Sequence, residues 1–202
     1  AEFSADVAKA KAAKPDAIAI IGFDETAKIF TELIKQGIGP DKVKTYLVDG
    51  NLSSGAYKDL PAGIMKGVKA TLPGVFADGG LQERLLGVDP ALTDFSYAAE
   101  SYDAVILIAL AAEQGGATDG KTIRDNLVSV SKGGTKCTTF AACKALIAEG
   151  EDIDYDGVSG PVEFADNGDP SYATMGIYEY TANDKYVALP AEFISGDVPA
   201  GE

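Results

Sequence analysis

Tyr155-Asp156-Gly157-Val158-Ser159-Gly160-Pro161-Val162-Glu163-Phe164-Ala165-Asp166-Asn167-Gly168-Asp169 constrains this chain more than any other stretch. Pro161 to Phe164 reads as a strand and Asp166 to Asp169 as a tight turn. Downstream, Tyr172 to Tyr180 reads as a second strand. Asn183-Asp184 turns it into Lys185 to Leu189, a terminal hairpin. The tail from Ser195 to Glu202 is expected to fray. Upstream lies the helix-like run Tyr97-Ala98-Ala99-Glu100-Ser101-Tyr102-Asp103-Ala104-Val105-Ile106-Leu107-Ile108-Ala109-Leu110-Ala111. Its strong apolarity predicts a long helix over 96–113, packed rather than exposed. Helices are also predicted over 119–130, capped by Thr118 or Asp119, and over 140–148.

The first third alternates. Ser4 is a candidate cap for a helix over 4–13, stopped by Pro15-Asp16. The apolar run Ala17 to Ile21 suits a strand covered on both faces. A helix over 25–36 presents Ala27, Phe30, Leu33 and Ile34 on one side and stops at Gly37. Strands follow at 43–48 and 68–72, with Ser53-Ser54 capping a segment between them. This strand–helix rhythm with short loops predicts an α/β fold, a parallel sheet flanked by helices, with the helices of 96–148 forming a separate body.

Composition narrows the function. The 202 residues carry 31 acidic and 17 basic side chains, a formal net charge of −14. Such a surface repels phosphate backbones and anionic lipid, so no nucleic-acid partner is expected. The longest apolar run, Ala104 to Ala112, has nine residues, against the roughly 20 that span a bilayer. Without histidine, no His triad, His general base or His-ligated zinc exists within this chain. Cys137 and Cys143 are the two cysteines. They read either as one short-range disulfide of an exported protein or as two free thiols of a cytosolic one.

Three segments invite a chemical reading. Gly22-Phe23-Asp24-Glu25 and Val48-Asp49-Gly50-Asn51 follow the first two predicted strands. Open parallel sheets bind ligands at that edge. An Asp there accepts charge-assisted hydrogen bonds from an ammonium group, and Phe23 is suited to cover an apolar side chain or face a cation. The structural alternative is that Asp24 and Asp49 only cap the following helices. The acidic run 149–157 lacks the EF-hand spacing and reads as a solvated loop, so no metal is expected. Gly50-Asn51-Leu52-Ser53-Ser54-Gly55 lacks the P-loop lysine and the dinucleotide glycine spacing, so no nucleotide cofactor is expected. Asn51-Leu52-Ser53 also matches a glycosylation acceptor pattern. No Ser has a recognisable base partner, and no enzymatic activity is expected.

Together the two quoted stretches resemble the C-terminal half of the branched-chain (Leu/Ile/Val) amino-acid receptors of ABC importers, the type I periplasmic-binding-protein family. The resemblance extends from Phe3 to about Leu189. It includes Phe3-Ser4 through Ile18, and Gly67-Val68-Lys69-Ala70-Thr71-Leu72-Pro73, similar to a lobe-crossing segment. The loop Gly133-Gly134-Thr135-Lys136 with Cys137 and Cys143 resembles actinobacterial versions. Such receptors have two lobes and about twice this length, so the chain is expected to be a part. The resemblance implies residues 1–73 in the C-terminal lobe, 74–170 in the N-terminal lobe, and 171–202 as the return. It implies Asp49, before Gly50, as partner of the ligand's ammonium, and Phe23, next to Asp24, as side-chain wall. It also implies export, a Cys137–Cys143 disulfide, a small amino-acid ligand and a membrane permease as partner. A sensor domain of the same fold for amide- or urea-like ligands is the alternative, ahead of a small α/β enzyme.

Overall fold

Helix α1 (Ser4–Ala12) opens the chain and strand β1 (Ala17–Ala19) follows it in the computed structural model, which describes residues 2–198. Next come α2 (Thr26–Lys35), β2 (Lys44–Leu47), a 3-10 turn at Asp49–Asn51 and β3 (Lys69–Pro73). Helices α3 (Gly79–Val88), α4 (Ala98–Gly115) and α5 (Gly120–Leu127) precede β4 (Thr135–Cys137) and α6 (Phe140–Ala148). The chain then runs through β5 (Ile153–Gly157), β6 (Gly160–Pro161), β7 (Tyr172–Tyr180), β8 (Tyr186–Ala188) and β9 (Ile194–Asp197). The fold is α/β, with sheets flanked by helices.

The described residues divide into two compact units. Unit 1 takes the chain up to Leu72 together with Gly176–Phe193. Unit 2 takes Pro73–Met175 and the residues from Ile194 on. The sequence anticipates two changes of unit; a third follows Phe193.

In unit 1, β1, β2 and β3 run parallel, Ala17 opposite Lys44 and Tyr46 opposite Lys69. The C-terminal part of β7 lies beside β3 and pairs antiparallel with β8, Tyr180 opposite Tyr186. Phe30 and Leu33 of α2 pack with Leu47, Ala70, Leu72, Tyr178 and Tyr180 in one core. The apolar stripe of α2 is what makes this helix: burying Phe30 and Leu33 contributes about 1.5–3 kcal/mol each. Ser4 is not a cap but the first helical residue, its hydroxyl donating to Glu32 (3.0 Å). The expectation that β1 is covered on both faces fails. Ile18 and Ile20 turn to the core, while Ala17 and Ala19 are exposed and Ile21 is 85% exposed. β1 ends the strand order, and no described element covers its second face. The Ser53-Ser54-capped segment between β2 and β3 is a series of turns, in which Ser53 Oγ accepts from the amides of Gly55 and Ala56.

Unit 2 is built on α4. Leu107, Leu110 and Ala111 pack with Val130, Cys137, Cys143, Ile153 and Tyr155. Asp119 caps α5, accepting from Lys121 and Thr122. Thr139 caps α6 through Ala142. Cys137 and Cys143 form a disulfide with Cα atoms 5.4 Å apart, tying β4 to α6.

Three expectations are corrected in this unit, and one helix is added. Helix α3 was not foreseen; Asp78 caps it by accepting from Leu81. The acidic run 149–157 is not a solvated loop but contains β5, parallel to β4, with Ile153, Asp154 and Tyr155 buried. Lys136 of β4 makes this possible by pairing with Asp154 (2.9 Å) and Asp156 (3.0 Å). The predicted strand 161–164 shrinks to β6 and a single bridge between Phe164 and Pro170. The tail does not fray at Ser195: β9 pairs with the first residues of β7, Thr174 opposite Ser195. Residues 199–202 of that tail lie outside the described residues.

Candidate functional site

In unit 1 the turns after β1 and β2 meet. Asp49 starts the 3-10 turn and is exposed, as is Asp24. Phe23 is 70% exposed. Gly50 is where the two turns touch: a methyl group on it would meet the Gly22 carbonyl oxygen and the Phe23 ring, both at 2.8 Å. Glycine here permits a backbone approach that any side chain would block. All four residues singled out by sequence, Phe23, Asp24, Asp49 and Gly50, therefore sit on one edge of the sheet. The N-cap residues of α2 and of the 3-10 turn are Glu25 and Val48, and neither makes a side-chain cap bond. Glu25 instead accepts from the Phe23 amide (3.0 Å), and that bond lowers its carboxyl below the ordinary range.

Asn51 is the residue that sequence did not single out for this edge. It is 3% exposed. Its Nδ2 donates to the Ile20 carbonyl (2.9 Å) and to Thr26 Oγ1 (3.1 Å), and its Oδ1 accepts from the Val48 amide (2.8 Å). One side chain thus joins the end of β1, the start of α2 and the end of β2. A glycosylation reading is overturned, because the amide nitrogen is buried and already used.

Below this edge, Tyr57 donates to the Asn51 carbonyl (2.5 Å), and Tyr180 both accepts from the Ser53 amide and donates to the Ser53 carbonyl. The rings of Phe30, Tyr57 and Tyr180 meet edge to face. Burial pushes both phenols well above their ordinary range; Asp24's charge adds to the effect on Tyr57.

The motif that dominates the sequence does a different job in unit 2. Asp103 of α4 is 1% exposed. Its carboxylate accepts from Tyr155 Oη (2.8 Å), the Val158 amide (3.0 Å), the Ser159 amide (2.7 Å) and Ser159 Oγ (2.5 Å). A methyl group on Gly157 would collide with the same carboxylate. Tyr155-Asp156-Gly157-Val158-Ser159 is thus the wrapping of one buried aspartate, and its spacing is structural. Beside it lies a largely apolar cavity of about 330 Å³, walled by Leu107, Val162, Phe164 and Tyr172 among others. Glu100 reaches it: Oε1 accepts from the Val75 amide (2.8 Å), and Oε2 is buried with no hydrogen-bond partner. The α4 face next to this cavity exposes Ala104, Ile108 and Val105, the last at 65%.

Among the described residues no group of three Cys, Asp or Glu side chains is placed to hold a metal ion. No described helix is long and apolar enough to cross a membrane.

The turns that follow β1 and β2 sit at the carboxyl edge of a parallel sheet, the place where open α/β sheets hold ligands. The chain belongs to the family described as the receptor family ligand binding region, which it matches over residues 7–183. That family consists of ligand-binding receptors. No curated protein matches the chain. Among solved structures it is similar to a leucine-binding protein of Thermotoga maritima, at 18% identity and a TM-score of 0.65, covering 96% of this chain and 48% of that one. A branched-chain amino acid transporter substrate-binding protein of Streptococcus pneumoniae, solved with isoleucine, gives 21% identity and a TM-score of 0.65, with 96% and 49% covered. A periplasmic ligand-binding protein of a branched-chain amino acid ABC transporter from Burkholderia xenovorans gives 14% and 0.63, with 96% and 47% covered. The chain spans about half the length of these structures.

Proposed function

We propose that this chain is part of an extracytoplasmic receptor that captures a small apolar amino acid, branched-chain or similar, and delivers it to an ABC permease. The observation that carries the proposal is the meeting of an acidic turn, Asp49-Gly50, with an aromatic one, Phe23-Asp24, at the carboxyl edge of the sheet in unit 1. Asp49 takes the ligand's ammonium group and Phe23 covers its side chain. Unit 1 corresponds to part of one lobe and unit 2 to part of the other. Affinity comes from apolar burial plus ion pairs at the ligand's ends, with no covalent step.

The experiment is calorimetric titration of leucine, isoleucine and valine into the protein expressed from its full reading frame. Asp49→Ala is expected to cost about 2–4 kcal/mol, the range for truncating one partner of a desolvated charge pair. Phe23→Ala is expected to cost less and to change the preference among the three. Unchanged affinity in Asp49→Ala removes the ammonium role.

A further inference from the structure

We propose that Asn51 is the positioning residue of this ligand edge: it sets the spacing between the Phe23 turn and the Asp49 turn, and thereby the size of ligand side chain accepted. The proposal rests on the receptor reading above and goes beyond it by naming what fixes selectivity.

Phe23 and Asp24 are exposed and neither reaches the core. Gly22 touches the second turn through its carbonyl at Gly50, a contact of shape and not a hydrogen bond. Asn51 alone, among the bonds described here, spans all three segments: Ile20 before the first turn, Thr26 after it, and Val48 before the second. A primary amide is the group this place requires. Two N–H donors meet two acceptors, the Ile20 carbonyl and the Thr26 hydroxyl, and one carbonyl oxygen meets one donor, the Val48 amide. Aspartate would present an acceptor to the Ile20 carbonyl; alanine would leave three buried groups unmade.

Asn51 is itself held from below. Its carbonyl accepts from Tyr57, whose ring packs on Phe30 and Tyr180. The reference for the spacing is therefore the unit 1 core and not the loops. Asp49 and Gly50 lie between Val48 and Asn51, so any shift of Asn51 moves both. Phe23 lies between Ile20 and Thr26, the two acceptors of the same amide. With Gly50 close against the Phe23 ring, any change in the spacing of the turns alters the room beside that ring, where an isobutyl and an isopropyl group differ by one methylene.

Two variants and two readouts test this. Thr26→Val removes one acceptor at nearly constant volume; Asn51→Ala removes all three bonds. Amide hydrogen exchange needs no ligand. Exchange at Phe23 and Thr26 is expected to speed up by about tenfold or more in both variants, with Leu33 and Leu47 unchanged. In the full-reading-frame protein, the ratio of leucine to valine affinity, normally about tenfold or more for one methylene in a fitted pocket, is expected to fall toward one. Thr26→Val should keep its melting temperature within about 5 °C, so that loss of folding does not explain the change. Unchanged exchange at Phe23 overturns the positioning role. Equal weakening for leucine and valine overturns the selectivity role and leaves a purely structural one. A wild-type protein that binds no branched-chain amino acid overturns the receptor reading instead, and the exchange data still decide whether Asn51 couples the turns.

Discussion

Replacing Asp103 by alanine tests the account of unit 2 at its most loaded point. The carboxylate accepts four hydrogen bonds and has no cationic partner among them. The four donors do not lose equally. Tyr155 Oη is buried, so leaving it unpaired costs about 1–3 kcal/mol. The Val158 and Ser159 groups sit on a partly exposed loop. Water replaces the carboxylate there, and the loss is nearer the net value of a hydrogen bond, about 0.5–1.5 kcal/mol each. The sum, about 2.5–7.5 kcal/mol, brackets the roughly 3–5 kcal/mol that removing one side of a buried charged network usually costs. Against a typical total of about 5–15 kcal/mol, that is a large share. Urea denaturation followed by circular dichroism measures it as a fall in midpoint at unchanged slope. Asp103→Asn keeps the shape but turns N–H groups toward donors, and should lose somewhat less. In Asp103→Ala combined with Tyr155→Phe, the two losses should be less than additive, because the orphaned hydroxyl is gone. A loss below about 1 kcal/mol in Asp103→Ala would refute the view that the Tyr155-to-Ser159 motif exists to wrap this aspartate.

Reducing the Cys137–Cys143 bond frees a short loop, worth about 2 kcal/mol in the chain-entropy account. The melting temperature should fall by about 4–8 °C for a chain of this size, and thiol labelling of unfolded, unreduced protein should find no free cysteine. Burial raises the phenols of Tyr57, Tyr155 and Tyr180 above their ordinary value of about 10. A folded-state value above the unfolded one means stability that is complete below about pH 10 and lost as pH rises beyond it. Alkaline titration at 295 nm should therefore show some tyrosines ionising only together with unfolding; smooth ionisation of all nine Tyr with native circular dichroism would contradict this.

Elements whose causes are local were legible in the sequence. Helix α6 is legible with its boundaries, because the apolar run from Phe140 stops before Glu149-Gly150; its Thr139 cap emerges only in the structure. Strand β7 was anticipated because tyrosines and β-formers alternate over nine residues. Asp49, Gly50 and Phe23 were legible as turn residues at strand ends, and the structure brings these turns together. What escaped has distant causes. β5 carries Asp154 and Asp156, and its fitness as a buried strand depends on Lys136, about twenty residues away. α3 contains Gly79, Gly80 and Gly87, so propensity argues against it; Leu81, buried with Ala77 and Ala99, outweighs that. Asn51 looked like an ordinary turn residue because two of its three partners are contributed by Ile20 and Thr26. The Ala17–Ile21 run misled in the other direction: unbroken apolarity suggested two covered faces, yet only alternate residues turn inward.

Chemical-shift mapping on the 202-residue chain with leucine or isoleucine puts the ligand edge itself to the test. On the proposed receptor reading this chain supplies one wall of the site, so binding should be weak, with a Kd of about 1 mM or above. The account predicts that amide shifts cluster at Gly22, Phe23, Asp24, Asp49 and Gly50 and vanish in Asp49→Ala. Shifts gathered instead around Leu107, Phe164 and Tyr172, the walls of the unit 2 cavity, or shifts at the turns that persist in Asp49→Ala, would contradict it.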